Sequence, residues 1–192
     1  MIYCINLAVI KNRMSNHKQE QVYIMIKPDG VAKGLIGEII KRIEQRGLKI
    51  VALRMFQPTQ QEIHDHYPKD EQWMSRLGEK TLGTYEKYGK DPVKELGTAD
   101  SLKIGEIIYG WNTEFLTSGP VVAIVISGIH AIDMVRKIVG KTLPAFAEMG
   151  TIRGDYSVDS PVLANLDKRA IHNLVHASGD LAEAAHEIRH WF

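Results

Sequence analysis

Six consecutive residues, Val121 to Ile126, are apolar without interruption, and five of them are β-branched. Side chains of a strand alternate between two faces, so a run with no polar parity fits only where both faces of a sheet are covered. The run is therefore read as a central strand covered on both faces. Val22 to Lys27 is a second apolar run, closed by Lys27-Pro28-Asp29-Gly30, which reads as strand followed by turn. Leu48 to Phe56 and a short stretch at Ile171 to His176 supply two further strand candidates.

The covering layers are written as helical stripes. Leu35, Ile36, Ile39, Ile40 and Ile43 recur at helical spacing, with Glu38, Lys41, Arg42 and Gln45 opposite and Gly47 as the stop. Ile129, Ile132, Val135, Ile138 and Val139 form a second stripe ending at Gly140. Thr59-Gln60-Gln61-Glu62 has capping-box form and opens a short helix ending near Tyr67, while Asp180-Leu181-Ala182-Glu183 opens a last helix with Leu181, Ala184, Ala185 and Ile188 buried. The order is β-α-β-α-β-α-β-α, and that alternation alone favours a parallel sheet. Lys69 to Thr117 is long, polar and glycine-rich, and is read as an insertion at about 69–114 with elements of its own. Lys141 to Leu166, with Pro144, Gly150, Gly154 and Pro161, is expected to resist regular structure.

With 192 residues the chain fits one domain, 21–192, preceded by a loosely held extension, 1–20, in which Met14 is a candidate start. Twenty-four Lys+Arg against 23 Asp+Glu leave +1, too little basic excess for non-specific nucleic-acid binding through counterion release. Cys4 is the single cysteine, so no intramolecular disulfide can form and a cytoplasmic location is expected. Met1 to Ile10 is too short to span a bilayer, its flanking charges reverse those of a secretory signal, and no later stretch reaches about 18 apolar residues.

Two motif matches are rejected on spacing and phase. Gly30, Gly34 and Gly37 follow a strand but fit neither the dinucleotide fingerprint nor the Walker loop. His186-Glu187-Ile188-Arg189-His190 satisfies the H-E-x-x-H pattern of zinc sites, yet the stripe of its helix turns His186 and His190 toward solvent. His64 and His66, two apart on a short helix, cannot share a face and receive no site.

There remains a histidine ending a strand just before a capped helix. Val22-Tyr23-Ile24-Met25-Ile26-Lys27-Pro28-Asp29-Gly30-Val31, Ser118-Gly119-Pro120-Val121-Val122-Ala123, Gly150-Thr151-Ile152-Arg153-Gly154-Asp155 and Asn173-Leu174-Val175-His176-Ala177-Ser178 stand in this order. Together with the Trp191-Phe192 ending they closely resemble the nucleoside diphosphate kinase family, over residues 20 to 68 and 115 to 192. The resemblance implies an α/β sandwich of ferredoxin-like type, with a four-stranded antiparallel sheet covered by helices. It implies transfer of the terminal phosphate of a nucleoside triphosphate to a nucleoside diphosphate in two half-reactions, with His176 as nucleophile. Glu187 then fixes the imidazole tautomer with Ser178 beside it, Lys27, Arg136, Thr142, Arg153 and Asn173 grip phosphates and ribose, and Tyr67 stands at the cleft edge. The base is expected near Ile108 and Tyr109, Mg²⁺ to be carried mainly by the nucleotide's own phosphates, and the chain to assemble as a hexamer or smaller sets of dimers. A non-catalytic nucleotide-binding regulatory module on the same fold is the alternative.

The chain departs from the family pattern in having Ala177 and Gly179 around Ser178, with Asp180 one place later than usual. Strict alternation also puts Asn173 and His176 on opposite faces, so the strand must bend or end between them if both line one site.

Overall fold

The computed structural model of the protein describes residues 19–67 and 70–192; the expected loose extension lies, up to residue 18, outside the described residues. β1 (Glu20–Ile26) runs into α1 (Pro28–Ala32) and α2 (Ile36–Gln45), followed by β2 (Lys49–Phe56) and α3 (Gln60–His66). Three helices follow, α4 (Glu71–Lys87), α5 (Pro92–Leu96) and α6 (Ser101–Thr117), and the chain then enters β3 (Val121–Gly128) and α7 (Ala131–Val139). A 3-10 turn (Pro144–Phe146), α8 (Ile152–Tyr156), α9 (Pro161–Leu166), β4 (Val175–Ala177) and α10 (Leu181–Trp191) complete it.

The sheet order is β2-β3-β1-β4 and every pairing is antiparallel. The parallel arrangement suggested by alternation is not found, for a topological reason. β1 and β2 do run the same way and are joined by helices, but a strand's width is left between them and β3 fills it in the opposite sense; β3 and β4 straddle β1 likewise. Two split β-α-β units interlock, which is the ferredoxin-like plan.

The continuous apolar runs are explained by this position. β1 and β3 are the inner strands, paired Val22↔Ile126, Ile24↔Ile124 and Ile26↔Val122 on one parity and Tyr23↔Val125 and Met25↔Ala123 on the other. The first set packs against Ile39 and Ile43 of α2 and Ile132, Val135 and Val139 of α7. The second meets Ile63 of α3, Leu116 of α6, and Ile188 and Trp191 of α10. Burying each large aliphatic side chain contributes about 1.5–3 kcal/mol, so both faces of the sheet are held by the hydrophobic effect.

Several local expectations are corrected. Lys27-Pro28-Asp29-Gly30 is not an isolated turn: Lys27 is the N-cap of α1 and Pro28 its first residue, where a fixed φ and a missing N–H cost nothing. β1 pairs from Glu20, so the strand starts inside the segment read as extension, and the fourth strand is confined to Val175–Ala177. Residues 141–166 hold a 3-10 turn and two short helices, because Pro144 and Pro161 start helical turns instead of breaking them and Thr151 and Ser160 cap the helices. Ile129 is exposed, since the chain turns at His130 (φ 51°) before α7 begins. Leu181 is exposed too, and the inward face of α10 is Ala184, Glu187, Ile188 and Trp191. A carboxylate on a buried stripe is what sequence periodicity could not forecast, and the site explains it.

Candidate active site

β4 is an edge strand laid on β1, with His176 opposite Met25 and Val175 opposite Ile26. Just before it the backbone makes a γ-turn: Val175 N–H donates to the Asn173 carbonyl at 2.8 Å, and the intervening Leu174 has φ 70°. This conformation is costly for a branched side chain and persists only where its surroundings impose it. It answers the parity problem, because the reversal at Leu174 brings Asn173 and His176 into one cleft.

That cleft, about 790 Å³, is lined by Lys27, Arg136, Thr142, Arg153, Asn173 and His176 among others. Lys27 leaves β1 in extended conformation (φ −78°, ψ 168°), as a residue before proline should, and its Nζ donates to Asn173 Oδ1 at 2.7 Å. Arg153 is 7 % exposed and donates from Nε to the Asn173 carbonyl (3.1 Å), from Nη1 to Gly140 (2.7 Å) and from Nη2 to Val175 (2.6 Å). It thus braces both sides of the γ-turn and still has N–H groups to spare. Burial, then repulsion from Arg153, lowers the Lys27 amine to about 8 against the pull of Asp29. Burial and Arg136 lower Arg153 to about 10. Crowding cations in this way raises the free energy of the empty site and favours a polyanion in it.

Behind the imidazole lies its support. His176 Nε2 is 2.5 Å from Glu187 Oε1, and Ser178 Oγ donates to Oε2 at 2.6 Å. Glu187, 2 % exposed, reaches this position because α10 turns it inward. Burial raises its carboxyl above the usual range while the Ser178 hydroxyl works in the opposite sense. Burial first, then Lys27, Arg153 and Arg136, keep the His176 ring neutral below its ordinary range. With Nε2 committed to Glu187, Nδ1 is the ring nitrogen without a protein partner among the described residues. Ser178 is anchored by N–H donation to the Tyr23 carbonyl at 3.1 Å. The shifted Asp180 still caps α10, accepting from Glu183 N–H, and Glu183 takes the Gly179 N–H.

His66 was given no site by sequence, yet it joins this cluster. It is buried, meets the His176 ring edge-on at 5.1 Å between centroids, and accepts from Trp191 Nε1 at its Nδ1 (3.2 Å). Burial and His176 lower it to about 3, so it is neutral and its 3.6 Å approach to Glu187 Oε1 is no ion pair. The available signal was Ile63, three residues earlier and on the same buried face.

Among the described residues, His66, His176 and Glu187 are the set of three His, Cys, Asp or Glu side chains close enough to hold one ion. Their nitrogen-rich, internally bonded character does not suit a hard cation such as Mg²⁺. The H-E-x-x-H match is occupied otherwise: Glu187 serves His176, His186 is exposed, and His190, expected in solvent, is half-buried with Nε2 on the Glu62 carbonyl (2.8 Å). Tyr67 and Tyr109 are not part of the cleft lining. They pack edge-on at 6.0 Å in an aromatic cluster with Trp73, and the Tyr109 hydroxyl contacts His64 Nδ1. Phe115 stands 6.0 Å from the Nζ of the cleft residue Lys27 and stacks on His172 at 4.7 Å. It was not singled out in the sequence.

A ferredoxin-like sheet whose edge strand offers a carboxylate-backed imidazole to a cationic cleft defines a phosphotransferase that works on nucleotides. The profile of the family described as nucleoside diphosphate kinase matches residues 20–75 and 102–192. A nucleoside diphosphate kinase of Pyrobaculum aerophilum is 49% identical over 173 residues, 90% of this chain and 94% of that protein. The crystal structure of an NDP kinase from the same organism superposes with a TM-score of 0.88 at 47% identity, covering 91% of this chain and 96% of the other. A transition-state mimic of the Borrelia burgdorferi enzyme with bound vanadate and ADP gives 0.71 at 32% identity, covering 91% and 87%. The chain belongs to the nucleoside diphosphate kinase family, and its activity is transfer of the terminal phosphate of a nucleoside triphosphate to a nucleoside diphosphate.

Proposed function

We propose that the transfer is a double displacement in which Nδ1 of His176 carries the phosphate. In the first half-reaction the Nδ1 lone pair attacks the terminal phosphorus in line, a P–N bond forms as the P–O bond to the leaving diphosphate breaks, and the diphosphate departs. In the second, a terminal oxygen of another diphosphate attacks the same phosphorus and the electron pair returns to Nδ1. The Nε2 proton stays in its bond to Glu187, whose carboxylate offsets the positive charge that the ring gains on phosphorylation. Lys27, Arg136 and Arg153 meet the negative charge spread over the transferred oxygens. The single observation that carries this reading is the His176–Glu187–Ser178 chain, which fixes one ring nitrogen and leaves the other to the cleft. A module that only binds nucleotides has no use for it.

Mg²⁺ is the expected cofactor. The cleft supplies cations and few carboxylates: Glu148 is paired with Lys141 at 2.6 Å, leaving Asp133 of those that line it. That donor set suits an ion held by the phosphates and water, which when present neutralises the leaving diphosphate. The oligomer is proposed to form through β2, an edge strand that exposes Leu53 and Met55. The test of the reaction is initial-rate exchange between ATP and a panel of nucleoside diphosphates. Parallel double-reciprocal lines are expected for every acceptor, whereas intersecting lines would mean direct transfer without a protein-bound phosphate.

A further inference from the structure

The γ-turn at Leu174 sets the relation between Asn173, which holds Lys27, and His176, the phosphate carrier of the reading above, on which this inference rests. Leu174 is fully buried and sits at φ 70°, so something must impose the conformation. Two of its restraints are already accounted for: Val175 N–H closes the turn on Asn173, and Arg153 grips the carbonyls of Asn173 and Val175. The peptide groups of Leu174 itself are held from the other side. Its carbonyl accepts from Lys27 N–H at 2.8 Å, and its N–H donates to Asp29 Oδ2 at 3.0 Å. Asp29 Oδ1 accepts from Gly30 N–H at 2.9 Å, which fixes the carboxylate to the first turn of α1. Gly30 lets the two segments approach, since a Cβ there would lie 2.9 Å from the Leu174 carbonyl oxygen.

We propose that Asp29 is a positioning residue for phosphoryl transfer: its carboxylate satisfies the buried Leu174 amide and so holds the strained turn that places His176 against Lys27 and Asn173. Asp29 is not among the residues that line the cleft, and its carboxylate bonds to the backbone amides of Gly30 and Leu174. A competing role is purely electrostatic, because the same carboxylate lies near enough to Lys27 and Arg153 to favour their charged forms. The two roles separate on substitution. Asn at this position loses the charge and keeps one oxygen, enough to accept from Leu174 but not from Gly30 as well, whereas Ala loses the charge and both acceptors.

The experiment is rapid-quench measurement of protein phosphorylation at saturating ATP, with ADP affinity determined in parallel, on the full chain and on Asp29→Asn and Asp29→Ala. A lost acceptor on a buried donor is worth roughly 5- to 150-fold, so Asp29→Ala is expected to slow phosphorylation by about 10- to 100-fold. Asp29→Asn should stay within about fivefold of the unaltered protein, and ADP affinity should move by less than about threefold in both. Equal slowing of the two variants would mean that an oxygen kept for Leu174 makes no difference and would overturn the proposal, as would an unchanged rate in Asp29→Ala or a loss confined to ADP affinity. If Asp29→Ala does not fold, Asp29→Ser replaces it, its side chain one atom shorter and without the second oxygen that takes the Leu174 N–H. Failure of the unaltered protein to label at all would instead sink the phosphohistidine reading, which keeps the two claims apart.

Discussion

Leu174 and Glu187 show how a site is built from residues that sequence rules would place elsewhere. Motif order made Lys27, Arg136, Thr142, Arg153, Asn173 and His176 legible as one set, and the cleft brings them together. Glu187 was legible in identity but not in orientation, since helical periodicity keeps carboxylates off a buried face and only its bonds to His176 and Ser178 explain the exception. The bend between Asn173 and His176 was inferable as a necessity, not as a positive φ at a leucine. Two charge states then set the pH response. The nucleophile is lost only as pH falls through a His176 value held below the ordinary range, and the Lys27 cation is lost as pH rises through about 8. The profile of kcat/KM, which reports the free enzyme, should therefore be flat through pH 6.5 and fall on the alkaline side near pH 8. In kcat the alkaline fall should move upward, because bound phosphates favour charged Lys27. An acidic break near 6.5 would show that the imidazole is not kept neutral by its surroundings.

Elements were read best where capping chemistry and a stripe agreed. Thr59 and Glu62 make both halves of the expected capping box, and Gly47 and Gly140 take the positive φ values, 77° and 85°, that end their helices. Reading was poorest in 141–166, where helices of one or two turns carry too few residues for a period to emerge. The stretch from Lys69 to Thr117 was read as long enough to hold elements of its own, and helices do lie in it, but the tight helix pair was not legible. Its polar composition hides two glycine contacts: a Cβ at Gly78 would stand 1.8 Å from the Ser101 carbonyl oxygen, and one at Gly105 would stand 2.0 Å from that of Met74. Backbone thus packs on backbone between α4 and α6. Gly105→Ala should cost about 1–3 kcal/mol and lower the melting temperature by about 2 to 12 °C. Gly83→Ala, on α4 with open space around it, should leave stability equal or slightly higher. Equal melting points for the two variants in a thermal scan would remove the glycine contacts from the account.

At the scale of the whole molecule, alternation of strands and helices favoured a parallel sheet where every pairing is antiparallel, because such a pattern does not say whether a slot is left between parallel partners. The resemblance supplied what periodicity lacked. The finished sheet has one consequence of its own: β2 ends it with Leu53, Arg54 and Met55 all exposed, which is unusual for an edge free of any partner. Light scattering at micromolar concentration should find a multimer, and Met55→Glu should shift it to smaller species; a monomeric unaltered protein would contradict assembly through this edge. The claim on which the rest depends concerns one nitrogen atom. After incubation with γ-labelled ATP, the protein should carry an acid-labile, alkali-stable phosphate that phosphorus NMR places on Nδ1, that His176→Ala abolishes, and that added nucleoside diphosphate discharges. A label that persists in His176→Ala, or that sits on Nε2, would contradict it.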